Sequence, residues 1–149
     1  MHSLTRGSEK QFIQAGKSTF TIQNDQTGNR FTFKVTKFTP PAQNSNPMWF
    51  VKVMTGTDNE SSYTFIGTIF NDGSFKFSQK SKIKSDAQSV KVFNWLWNKI
   101  RANGPDNQFE PFVKFYHEGK CGRCGRTLTV PESITSGFGP ECIQMQGRF

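Results

Sequence analysis

Apolar and polar residues alternate through much of the first half of the chain. Ser18 to Gln23 (STFTIQ) alternates. Beyond the turn-rich stretch Asn24 to Asn29, the run RFTFKVTKF puts Phe31, Phe33 and Val35 on one face and Thr32, Lys34 and Thr36 on the other. A period of two predicts strands, and the two runs make a hairpin whose long connection leaves the register open. Pro40, Pro41 and the polar stretch through Pro47 break the pattern. MWFVKVMTG (Met48 to Gly56) then reads as a third strand, with Trp49, Val51 and Val53 alternating against Phe50 and Lys52. SYTFIGTIF (Ser62 to Phe70), the turn Asn71–Asp72–Gly73 and SFKFS (Ser74 to Ser78) read as a second hairpin.

The period then changes. Phe93, Leu96, Trp97 and Ile100 recur at helical spacing, with Val92 beside them. Ser85 is the expected N-cap, Gln88 completes a capping box, Asp86 suits the positive end of the helix dipole, and Asn103, Gly104 and Pro105 stop the helix. That stripe is core, packed on one sheet face, whereas Trp95 lies off it, at the sheet margin or presented to a partner. FEPFVKFY (Phe109 to Tyr116) reads as a short edge strand because Pro111 lacks a donor. The first sixteen or so residues show no period and read as a loosely held arm. The expected fold is α+β, an antiparallel sheet of about five strands on one amphipathic helix (Ser85 to Ala102). The expected division is an arm (1–17), a sheet-and-helix domain (18–104) and a C-terminal module (105–149). No internal repeat, heptad or low-complexity block is visible.

Composition narrows the function classes. The 149 residues carry 19 Lys plus Arg against 11 Asp plus Glu, a formal charge of +8. The mean hydropathy is −0.61, and no apolar run approaches the roughly 18 residues a bilayer span needs. No apolar h-region marks the N-terminus, so the expected location is the cytoplasm, that of the host cell if the protein is phage-encoded. The basic excess lies in the first two-thirds. Its densest stretch is Lys76, Lys80, Lys82 and Lys84, which reads either as a solvated edge that discourages aggregation or as an anion-attracting surface.

The strongest local signal is His117, Cys121, Cys124 and Cys142, spaced His-x3-Cys-x2-Cys-x17-Cys. Four soft or borderline ligands suit one tetrahedral Zn2+, and an odd cysteine count with a close pair argues against a disulfide framework. Gly122 and Gly125 permit the tight turn of a zinc knuckle, and Arg123 and Arg126 would help hold both sulfurs as thiolates. Cys142 follows Gly139 and Pro140 and is expected in the first turn of a short helix, where the dipole favours a thiolate. A knuckle, an intervening hairpin-like segment and a helix-borne ligand suggest a treble-clef-like or zinc-ribbon-like finger. A redox pair is the other reading of Cys121 and Cys124, but Gly125, Arg126 and Thr127 do not begin the helix such a site needs. If His117 is not the fourth ligand, Glu118, Glu141, His2 or water must serve.

CGRCGRTLTVPESITSGFGPEC resembles the C-terminal signature of a family of uncharacterised bacteriophage and mobile-element proteins, C-x-x-C-G-R-x-L-T-x-x-x-S-x-x-x-G-x-G-P-x-C. GTDNESSYTFIG and FNWLW resemble the region that often precedes it, so the likeness spans roughly residues 48 to 143. It implies a small zinc-binding phage-type protein with Cys121, Cys124 and Cys142 as ligands and His117 completing the set. It implies no activity.

Two functions are expected from these features. Basic and aromatic residues are interleaved in RFTFKVTKF and SFKFSQKSKIK, the mixture that attracts phosphates and stacks bases. Lys34, Lys37, Lys76, Lys80, Lys82, Lys84, Arg123 and Arg126 are therefore the expected contacts to DNA or RNA, with one structural zinc in the finger. The alternative is a module that docks on and modulates a host protein, anchored by an aromatic such as Trp49 or Trp95. No nucleophile, acid/base pair or phosphate loop is recognisable, so an enzyme is not expected, a zinc hydrolase or nuclease-like activity being the remaining enzymatic reading.

Overall fold

A computed structural model of the protein describes residues 2–4, 7–43, 45–55, 62–103, 110–128 and 131–145. Its centre is an antiparallel sheet of β1 (His2–Ser3), β2 (Lys17–Asn24), β3 (Arg30–Phe38), β4 (Met48–Met54), β5 (Tyr63–Ile69), β6 (Phe75–Phe77) and β7 (Val113–His117). Among the described residues the strands run in the order β1-β7-β2-β3-β4-β5-β6. The two hairpins form as the alternation predicts. Phe20 pairs with Phe33 and Ser18 with Val35, and Gly67 pairs with Phe77 across a turn closed by Asp72 Oδ1, which accepts the Ser74 N–H at 2.9 Å.

Alternation sends Phe20, Phe33, Val35, Trp49, Val51 and Ile69 to one face, and all of them are buried. Helix α2 (Gln88–Asn103) covers this face with Phe93, Leu96, Trp97 and Ile100, each no more than 1% exposed. Phe93 packs on Phe33 and Phe75 at centroid distances of 5.2 and 4.7 Å. The helix starts later than the Ser85 cap predicts. Ser85 and Asp86 sit in a turn, and the Ala87 carbonyl takes the Lys91 N–H.

Two expectations change. The N-terminal segment is not a loose arm. It contributes β1 and helix α1 (Glu9–Ile13), and Phe12 and Ile13 are fully buried. The chain approaching the cysteines is not an edge strand either. β7 lies between β1 and β2, with Phe20 opposite His117 and Ile22 opposite Phe115. Pro111 precedes β7, so its missing N–H removes no rung of the ladder. Phe109, placed at the start of that strand by the sequence, lies outside the described residues, as do Gly56 and the GTDNES turn.

β5 contains an irregularity that changes which residues reach each face. Val51 pairs with Gly67, but Lys52 pairs with Phe65, so Ile66 is an extra residue in the strand. A bulge of one residue inverts the alternation beyond it. Ile66 stays in the core, and Phe65 and Tyr63 turn to the face opposite the helices.

Candidate metal centre and open sheet face

The cysteines are gathered by a knuckle and a helix. Lys120 and Thr127 form an antiparallel bridge, and within it the Gly125 N–H donates to the Cys121 carbonyl and the Cys121 N–H to the Arg126 carbonyl, each at 2.8 Å. Gly125 has φ +78°, a backbone that glycine adopts without strain. After the knuckle come α3 (Pro131–Ser136), where a hairpin was expected, and α4 (Pro140–Met145), which carries Cys142 in its first turn. The three sulfurs lie within 4.8 Å of one another. None is in a disulfide; Cys121 and Cys142 are buried and Cys124 is exposed.

The donor set fits a thiophilic dication. A tetrahedron of sulfurs at the zinc–thiolate distance has edges of about 3.8 Å, so a small contraction closes the cluster. Burial opposes ionisation of Cys121, but backbone N–H groups of Gly139, Cys124 and Arg123 outweigh it and hold the thiol below its usual value. Cys142 is pushed up, first by burial and then by its sulfur neighbours, against a hydrogen bond from Arg123 Nη1 at 3.6 Å. One sulfur ionises readily and the next must do so beside it, a conflict that a bound cation removes. Arg123 would offset the surplus charge of three thiolates on a dication.

His117 is not brought to the cluster. Its side chain is fully buried between β7 and α3; Nδ1 accepts the Gly119 N–H at 3.0 Å, and Nε2 donates to the Ile134 carbonyl at 2.6 Å. Both nitrogens are therefore engaged, and the ring is a neutral tie between sheet and finger. The spacing that suggested a ligand is that of a residue at the strand end, where its alternation points into the core. Among the described residues no His, Asp or Glu joins the three sulfurs. Glu118 accepts from the Thr21 hydroxyl at 3.1 Å, and His2 packs on the His117 ring at a centroid distance of 5.5 Å.

The finger is built into the sheet. The Lys17 N–H donates to the Gly122 carbonyl and the Gly122 N–H to the Gly137 carbonyl, both at 2.8 Å. A Cβ on Gly122 would stand 2.6 Å from the Phe12 ring. Phe12 in turn contacts Phe115, His117 and Phe138, so one aromatic cluster joins α1, β7 and the finger.

On the opposite face of the sheet the residues are of another kind. Register places Arg30, Lys34, Lys52, Lys76 and Lys114 there, together with Phe38, Phe50, Phe65 and Tyr63. The strands β1–β7 contain no Asp or Glu. Lys34 and Lys52 are directly opposed on neighbouring strands, an arrangement that repels. Lys34 Nζ sits 4.5 Å from the Tyr63 ring centroid. Phe38 stacks on Phe50 at 5.5 Å, and Phe50 meets Phe65 edge-on at 6.0 Å. Helix contacts fall on the other side of the sheet: Phe93 of α2, Phe12 of α1 and the Ile134 carbonyl of α3 all meet residues of the buried face.

The expected contact residues divide accordingly. Lys34 and Lys76 lie on the open face, and Lys80, Lys82 and Lys84 are exposed in the segment after edge strand β6. Lys37 belongs to the helix-bearing side, where its Nζ is 6.0 Å from the Trp49 ring centroid. Arg123 faces Cys142, and Arg126 is exposed on the knuckle. Trp49 is no exposed anchor: it is buried, and its indole N–H donates to the Gln14 carbonyl at 2.9 Å. Trp95 is 39% exposed, with Lys99 Nζ 5.2 Å from its ring centroid. The open-face residues Lys52, Arg30, Lys114, Phe50 and Phe65 were not singled out as contacts from sequence, although the alternation of MWFVKVM already set Phe50 and Lys52 on the phase opposite Trp49, Val51 and Val53.

Residues 114–143 match a family of unknown function, DUF6011. The matched stretch begins in β7 and ends one residue past Cys142, so it coincides with the three-cysteine cluster and the strand that ties it to the sheet. No curated protein and no solved structure matches the chain. No helix among the described residues is long and apolar enough to cross a membrane.

Proposed function

We propose that this protein binds nucleic acid on the open face of its sheet and that Cys121, Cys124 and Cys142 hold a structural zinc ion. The observation that carries the first part is the composition of the open face: basic residues on four strands surround a phenylalanine cluster, and the strands themselves bring no carboxylate, Glu118 beyond the end of β7 being held by the Thr21 hydroxyl. Among the described residues the helix contacts fall on the other side of the sheet and leave this face open to a polyanion. For the zinc, the three-sulfur donor set and its hydrogen-bonded cradle support the reading. Zinc there would fix the knuckle to α4 and so hold the finger end of the sheet, the role a metal plays where a short segment cannot build its own core.

The test is fluorescence anisotropy with labelled oligonucleotides over a range of salt, alongside native mass spectrometry after nuclease treatment. Each phosphate contact should contribute roughly 0.7 to 0.9 to the slope of log K against log salt. Lys34→Ala with Lys52→Ala should lower both affinity and slope. Absence of binding at low salt, or a salt-independent affinity, would overturn the nucleic-acid reading. A stoichiometric protein retained after nuclease would assign the face to a protein partner instead. One zinc per chain is expected, and metal-free protein with native stability would refute the structural zinc.

A further inference from the structure

Resting on the nucleic-acid reading, we infer that the open face takes single-stranded nucleic acid, with unpaired bases stacked against Phe38, Phe50 and Phe65 and phosphates drawn to Lys34, Lys52 and Lys76. Three observations lead there. The face is a sheet, and a stretch of strands spaced about 4.8 Å apart is too broad and too flat to enter a major groove about 12 Å wide. Phe38 is 43% exposed and Phe50 and Phe65 are half-buried, so the middle of a basic surface is aromatic. A duplex offers such rings only sugar and phosphate, whereas a single strand offers the flat faces of its bases.

The third observation is the bulge in β5. Were Ile66 an ordinary rung of the ladder, Phe65 would share the phase of Gly67 and Ile69 and lie in the core. Because Ile66 bulges out of the ladder, Phe65 faces outward, meets Phe50 and stands opposite Lys52, completing a row of ring beside cation. Bulges re-aim side chains in this way next to functional sites. Lys76 lies opposite Thr68 on the same face, and the exposed Lys80, Lys82 and Lys84 follow β6, so positive charge continues past the edge of the sheet. A bound strand runs across β3, β4 and β5 and leaves over β6.

The experiment compares the full-length protein on twelve-nucleotide oligo(dT), oligo(rU) and a duplex hairpin of the same charge, at one salt concentration. Either single strand should bind about tenfold or more tighter than the duplex, because stacking adds to the phosphate attraction. Phe50→Leu keeps an apolar side chain and removes the π face. It should weaken single-strand binding roughly fivefold or more while leaving the salt slope and the duplex affinity as they were. Phe38→Ala, at a more exposed position, should act in the same direction with an unchanged melting temperature. Lys52→Ala should instead reduce the slope on both ligands. Duplex binding as tight as single-strand binding would overturn the inference and leave the nucleic-acid reading standing. So would single-strand affinity unchanged in both phenylalanine variants. Failure of all three ligands to bind would overturn the reading beneath it.

Discussion

Gly122→Ala probes whether the finger is a separate appendage or part of the sheet's own core. Gly122 has no side chain because none fits: a Cβ there would lie 2.6 and 2.7 Å from two carbons of the Phe12 ring and 3.2 Å from the Phe12 carbonyl. The ring cannot retreat, since Phe12 is fully buried against Phe115, His117 and Phe138. The knuckle is equally held, by the hydrogen bonds linking Gly122 to Lys17 and Gly137. Overpacking of this kind destabilises by about 1–3 kcal/mol. For a chain of this size the melting temperature should fall by about 2–4 °C per kcal/mol. Unfolding is followed by tryptophan fluorescence, because Trp49 of β4 and Trp97 of α2 are buried between sheet and helix and report on that core and not on the knuckle. Phe12→Leu alone should also destabilise, by about 1–2 kcal/mol. In the double variant the smaller side chain makes room for the new methyl, so the loss should be less than the sum by roughly 0.5 kcal/mol or more. A Gly122→Ala protein that releases metal but keeps its tryptophan-reported midpoint would refute the reasoning, since finger and sheet would then unfold independently.

Cys124→Ser should lower metal content below one ion per chain and expose the 117–145 segment to protease, as measured by native mass spectrometry and limited proteolysis; retained metal and resistance would exclude Cys124 as a ligand. Lys52→Thr removes one of two directly opposed lysines, so the melting temperature should rise by the equivalent of about 0.2–1 kcal/mol while affinity for nucleic acid falls. His117 is held below its ordinary value of 6.5, chiefly by burial, against the smaller opposing effect of the Ile134 carbonyl. Its folded-state pKa being depressed, its contribution to stability is complete above the unfolded value and is lost as pH falls from about 6.5 towards the folded value. Chemical denaturation from pH 7.5 to 5 should therefore show a decline that is smaller in His117→Gln. Long-range proton–nitrogen NMR should find the proton on Nε2 across the upper part of that range, and a proton on Nδ1 would contradict the two hydrogen bonds.

Much of this architecture is written in local order. The alternation of RFTFKVTKF and MWFVKVM, the helical spacing of Phe93, Leu96, Trp97 and Ile100, and the turn residues between them specify strands and a helix because each pattern has one period that buries its apolar residues. The cysteine spacing likewise specifies a knuckle and a distant third sulfur, since only a turn of that length lets two thiols converge. Tertiary structure decided the rest. Which strand β7 joins depends on pairings nearly a hundred residues apart, Phe20 with His117 and Ile22 with Phe115, for which no local signal exists. The fate of His117 follows from that placement: in the sheet, with its ring facing inward, it meets the α3 backbone and not the sulfurs. Short, weakly periodic α1 becomes ordered because Phe12 fills the gap between β7 and the finger, a contact that exists only once both are in place. The open face has the same origin. Alternation alone puts Phe65 in the core, and the single inserted residue that turns it beside Phe50 and Lys52 is visible only in the register of β4 against β5.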